Sequence, residues 1–136
     1  MYDEDFVNED VVEFIIDEKK FSYKPVTAGE ENDWINEYII MGEDGKSKPD
    51  FSKLNKCKVR NIKKVPYDKE TIRKFIGLEL EWSSLNNDQK WDLFKKLHPT
   101  MFDKIFQAIA KIDKLDVVKK KDSIEPSNTV TQNKAL

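Results

Sequence analysis

The chain has 136 residues, a length that suits one domain and is too short for two full cores. Hydrophobic residues make up 38% and charged residues 37%, so burial has to come from large side chains: eight Phe, three Trp and four Tyr. A single cysteine, Cys57, excludes an internal disulfide framework, and no apolar run approaches the roughly 20 residues that span a bilayer. The acidic start MYDEDFVNED lacks the basic and apolar regions of a signal peptide, which together with the lone thiol predicts a cytoplasmic protein.

The net charge of -2 conceals an asymmetry. Residues 1–50 hold fifteen acids against five bases, and residues 51–136 hold eleven acids against nineteen bases. Two readings stand side by side: solvated faces that attract each other within the fold, or a basic docking patch for an acidic partner.

In chain order, residues 1–10 read as an acidic lead-in. The β-branched run Val11 to Ile16 and the alternating Phe21 to Val26 flank the polar turn Asp17 to Lys20, which predicts a β-hairpin. Pro25 belongs at its edge or end. Thr27 and Glu30 have capping-box spacing, so a helix should run to about Met41, with Trp34, Ile35, Tyr38 and Ile39 on one face. Gly42 to Gly45 is a loop. Residues 49–65 fit two patterns: Phe51, Leu54, Lys58 and Ile62 a helix from Asp50, Cys57, Val59, Ile62 and Val65 a strand added to the hairpin. A short helical turn over 50–56 and an irregular strand over 57–64 is the reading adopted.

Asp68 caps a helix carrying Ile72, Phe75 and Ile76, and Gly77 ends it. Asn86 to Gln89 repeats the capping box ahead of Trp91, Phe94 and Leu97. His98-Pro99 stops that helix and starts the last, whose face is Phe102, Ile105, Ile109 and Ile112. The expectation is an α+β fold over 11–115: an N-terminal β-hairpin, with a third strand as an option, and four to five short helices. Residues 116–136, basic and then polar, should be a disordered tail.

Candidate chemistry is sparse. One His and one Cys cannot supply a zinc ligand set, so no metal or cofactor is expected. His98 lacks an evident nucleophile and is better read as bonding the last carbonyls of its helix. Cys57 lies among Lys56, Lys58 and Arg60, which can lower a thiol pKa, but no partner base accompanies it. The acids 3–10 lack the turn glycine of a calcium loop, the scattered glycines form no phosphate cradle, and Glu79 and Glu81 read as a solvated edge. The stretch KLNKCKVRNIKK can neutralise phosphates, which keeps nucleic-acid binding through residues 53–64 as an alternative. It carries no aromatics for stacking on single strands, and the acidic half would repel a polyanion.

The segment FSYKPVTAGEENDWINEY resembles the N-terminal signature of phage tail assembly chaperones, in which a strand ends in a Lys-Pro-Leu-Thr-like turn before an acidic helix. The equivalents are Lys24-Pro25-Val26-Thr27, then Glu30 and Glu31. VPYDKETI and GLELEWSSLNNDQKWDLFKKLHPTMFDKIFQAI are similar to the C-terminal bundle of that family, the likeness covering roughly residues 11–113. The resemblance implies a non-enzymatic protein of the host cytoplasm, absent from the mature virion. It implies contacts with the tail tape measure protein, kept soluble until assembly, and with the tail tube protein. It also admits a frameshifted longer form, with Lys119-Lys120-Lys121 near an A-rich slippery run.

That role asks for an apolar groove that accepts amphipathic helices, rimmed by charge. The candidates are Trp34, Tyr38, Trp82, Trp91 and Phe94, with Trp82 expected to be the most exposed; the competing reading makes these aromatics the core. Lys53, Lys56, Lys58, Arg60, Lys63 and Lys64 form a basic stripe for acidic faces of a partner. Head-to-tail self-association between the acidic and basic halves is a further expectation. A cellular adaptor with another partner is the remaining alternative.

Overall fold

A computed structural model of the chain describes residues 5, 6 and 10–124, with side chains as far as Lys114. The lead-in 1–10 therefore falls largely outside the described residues, as does the tail from 125 onward.

The fold is α+β, as expected. Strands β1 (Val12–Ile16) and β2 (Lys19–Tyr23) form the N-terminal hairpin, and β5 (Ile62–Lys64) adds the third strand in the antiparallel order β1-β2-β5. The central position of β2 explains why Phe21, Ser22 and Tyr23 are all buried. The hairpin turn is tighter than the sequence suggests. Asp17 and Glu18 both have positive φ, 49° and 68°, so a two-residue loop of the mirror-image type matches the strand twist, and Lys19 and Lys20 pair within the strand.

Thr27 caps α1 (Ala28–Tyr38) in a full capping box with Glu30. The helix stops short of Met41 because Ile39 and Ile40, β-branched and in sequence, turn extended. They open β3 (Ile39–Met41), which pairs with β4 (Ser47–Pro49) in a second hairpin around Asp44-Gly45. Asp50 then caps α2 (Phe51–Val59), longer than the turn expected over 50–56, so the strand over 57–64 shrinks to β5. Asp68 caps α3 (Lys69–Ile76), and Gly77 closes it at φ 77°. A 3-10 turn at Trp82–Ser84 leads to α4 (Asn87–Phe94), capped by Asn86 and Gln89.

Helix α5 (Pro99–Ile124) extends past the boundary expected at 115. Lysine and valine tolerate a helix, and no glycine or proline interrupts this run before Pro126.

The core joins the sheet to α3, α4 and α5 through Phe21, Tyr23, Val59, Ile62, Ile72, Phe94, Ile105 and Ile109, each fully buried. Aromatic contacts run through it: Phe14 stacks on Phe21 at 5.3 Å, Trp82 tilts onto Phe94 at 5.4 Å, and Phe102 meets Phe106 at 4.5 Å. Trp34 of α1 and Cys57 of α2 are buried outside this cluster, on two helices that pack together.

Candidate partner-binding groove

Three of the five aromatics expected to face a partner belong to the interior. Trp34 and Trp82 are each 5% exposed and Phe94 is fully buried, which decides for the core reading at those positions. Trp82, expected at the surface, donates its indole N–H to the Ile62 carbonyl at 2.9 Å, and Lys90 lies 5.1 Å from its ring centre. Tyr38 is half-buried at the end of α1, and Trp91 is half-buried with its ring edge-on to Phe102 at 5.9 Å. The five do not form one surface.

The basic stripe is partly spent inside the molecule. Arg60 forms a two-pronged pair with Glu37 of α1, Nη1 at 2.7 Å and Nη2 at 2.6 Å, and Lys56 reaches Asp88 at 2.6 Å. Lys58 is half-buried, and burial lowers its pKa while the Asp113 carboxylate opposes that shift. Lys53, Lys63 and Lys64 stay exposed, with the Lys63 amine 3.4 Å from the Arg60 carbonyl. The attraction between acidic and basic halves thus operates within one molecule, through α1 and α2. Cys57 is fully buried, and burial followed by the Glu37 carboxylate pushes its thiol up to about 11. The neighbouring lysines do not make it a thiolate.

The surface feature that emerges instead is a groove walled by α3, α4 and the start of α5. Its centre is a pocket of about 190 Å³ lined by Tyr67, Thr71, Phe75, Leu93, Leu97 and His98, with Lys96 at the rim. Phe75 and Lys96 also line an adjoining depression of about 520 Å³ toward Ile76, Asp92 and Lys95. Tyr67, Leu97 and His98 continue on the other side into one of about 540 Å³, bounded by Asp17, Lys19 and Met101. Shared walls make the three a continuous trough. The central pocket and the depression toward Met101 are mainly apolar, the one toward Asp92 and Lys95 mainly polar, and Phe75, 47% exposed, is the side chain most available from above.

Local sequence places these residues. The Asp68 cap and the Gly77 stop fix the length of α3, so Ile72 turns inward while Phe75 faces the trough. His98-Pro99 breaks the chain between α4 and α5 and sets Leu97 and Met101 at the junction, where the His98 carbonyl accepts the Phe102 N–H at 2.9 Å. Charge at the rim is mainly cationic. Lys74 approaches the Phe75 ring at 5.7 Å and Lys95 pairs with Asp92 at 3.2 Å, while Lys104 and Asp17 close one end at 3.1 Å.

Across Tyr67 lies a separate cleft of about 550 Å³ in which Lys63, Lys64 and Lys69 face Asp68, Glu70 and Glu81. Its charges balance, and the indole N–H of Trp82 at its wall is already committed to Ile62. Phe75 was legible in the sequence only as part of a helix stripe, and Tyr67 only as part of a helix start. Among the described residues no group of three or more His, Cys, Asp or Glu is placed to hold a metal ion, and no helix is long and apolar enough to cross a membrane. No protein-family model, curated protein or solved structure matches the chain.

Proposed function

We propose that this protein is a non-enzymatic binding protein that holds an amphipathic helix of a partner in the α3–α4–α5 trough. The apolar pocket around Phe75, with Lys96 at its rim and a further mainly apolar depression toward Met101, is the observation that carries the reading. An amphipathic helix buries its apolar stripe in such a groove through side chains one turn apart, and acidic positions along its flank meet the lysines. The resemblance to phage tail assembly chaperones supplies the partner: helices of the tail tape measure protein, kept soluble in the host cytoplasm before the tail tube protein assembles around them. Such a chaperone must release its client, and a shallow trough with an exposed charged rim suits reversible binding.

The nucleic-acid alternative draws less support, because Arg60 and Lys56 of the stripe are engaged by Glu37 and Asp88. Co-expression tests the proposal. With this chain present, the tape measure protein of the same genome should move from the insoluble to the soluble fraction and co-purify. An unchanged insoluble fraction, or a genome with no tail genes around this one, would sink it.

A further inference from the structure

Strand β1 is one edge of the three-stranded sheet, and among the described residues no strand pairs with its outer side. The hairpin fixes which of its groups face out. A two-residue loop at Asp17-Glu18 makes Ile16 and Lys19 a bonded pair, so Phe14 and Val12, in step with Ile16, also bond inward to β2. Glu13 and Ile15 alternate with them and turn their N–H and C=O groups to the open edge. Such a row is a template for another strand, and edges are commonly blunted by lysine, proline or a bulge. The strand VEFII has none of these. Instead Val11, Val12 and Ile15 are 47%, 39% and 64% exposed. Glu13, the one charge in β1, lies 3.9 Å from Lys20 across the hairpin, and Asp17 beyond it is held by Lys104 at 3.1 Å.

We infer that β1 of a second copy pairs with this edge, antiparallel about a twofold axis, joining two three-stranded sheets into one. The residues of the strand select both the register and the occupant. Outward groups must meet outward groups, so odd-numbered residues oppose odd-numbered ones. A twofold centred on Glu13 sets that residue against itself, and one centred on Ile15 sets it against Asp17, like charges in both cases. A centre at Val12 brings Asp10 opposite Phe14 and shortens the overlap. A centre at Phe14 uses the whole strand and sets Glu13 opposite Ile15, Val12 opposite Ile16, and Phe14 opposite its own copy. On the core-facing side, the Phe14 ring stacked on Phe21 at 5.3 Å then continues into the same pair of the second copy. On the other side, the stem of Glu13 covers the exposed Ile15. The contact is isologous, so association closes at the dimer. Five residues a side bury less than the roughly 800 Å² per partner of a standard interface, so the dimer is weak and concentration-dependent. No residue of β1 lines the trough, so dimerisation and client binding are separate properties.

Sedimentation velocity of the purified full chain, from micromolar to millimolar concentration, tests this. The wild type should pass from monomer to dimer and go no further. Ile15→Glu, which faces Glu13 of the second copy, should weaken the dimer about tenfold or more, whereas Ile15→Lys at the same place should dimerise at least as well as wild type. Position 15 is exposed, so unchanged circular dichroism should show intact folds. Register is read by oxidative cross-linking, since the chain's own thiol, Cys57, is buried. A mixture of Glu13→Cys and Ile15→Cys should give more cross-linked heterodimer than either variant gives homodimer. A wild type that stays monomeric at millimolar concentration overturns the inference and leaves the edge to a strand of another protein. Growth beyond the dimer, equal behaviour of Ile15→Glu and Ile15→Lys, or a predominance of Glu13→Cys homodimer also overturns it. Phe75→Asp should dimerise like wild type, so loss of client binding in that variant reports on the trough separately.

Discussion

Asp113, half-buried on α5, ties three parts of the chain together. Its carboxylate accepts the Tyr23 hydroxyl at 2.8 Å and the Val26 N–H at 3.0 Å, fixing the end of β2 and the approach to α1 against the last helix. Asp113→Ala orphans both donors and should cost about 1–3 kcal/mol in urea unfolding. Asp113→Asn should stay within about 1 kcal/mol of wild type at neutral pH, because the tyrosine hydroxyl can turn and accept from the amide. Burial raises the Asp113 pKa, outweighing the hydrogen bonds that lower it, and burial first and then Asp113 push Tyr23 well above its ordinary value. A carboxyl with a raised folded pKa contributes most below its unfolded value of about 3.9, and that contribution fades as pH rises through the folded value. The stability of wild type relative to Asp113→Asn should therefore decline on going from pH 3 to 7. Glu37 has the opposite sign: its bonds to Arg60 lower its pKa, so its contribution is present above about 4.3 and is lost as pH falls through the folded value. That pair is partly exposed, with the Glu37 side chain 44% open, so its worth is no more than about 1 kcal/mol.

Turns and caps set the elements. Glu18 holds φ 68° without the freedom of glycine, a conformation that costs a non-glycine residue about 1 kcal/mol. Glu18→Gly should stabilise the hairpin by about 0.5–1 kcal/mol in thermal or urea unfolding, and a loss of stability would contradict the turn geometry. Thr27→Ala, which breaks the α1 capping box, should cost about 1 kcal/mol. These caps were readable because Thr27 with Glu30, Asp68, and Asn86 with Gln89 act on backbone within one turn of themselves. The third strand was open as an option for the same local reason, through Ile62 and its neighbours. The second hairpin was not readable: its strands are three residues each, and β3 follows α1 without a break in apolar pattern. Nor was the burial of Trp82, which depends on the Ile62 carbonyl and on Lys90, neither of them its sequence neighbour. The trough was hidden because Tyr67, Phe75 and Leu97 converge only when α3, α4 and α5 pack.

At the scale of the molecule, the charge asymmetry has two levels. Part of it closes inward, where Arg60 and Glu37 join α2 to α1, while Lys56 is taken up by Asp88 in the first turn of α4. The remainder stays outward, with Glu31, Asp33 and Glu43 exposed in the first half of the chain and Lys53, Lys63, Lys64 and Lys96 exposed in the second. Where a client binds separates the trough from the basic stripe as the receptor. Titrating the isotope-labelled protein with an amphipathic helical segment of the tape measure protein, and following backbone amide shifts, measures that directly. The largest changes should map to Tyr67, Phe75, Leu97 and Met101 and should vanish in Phe75→Asp. Changes centred on Lys53, Lys63 and Lys64, or unaffected by Phe75→Asp, would contradict the trough as the binding site.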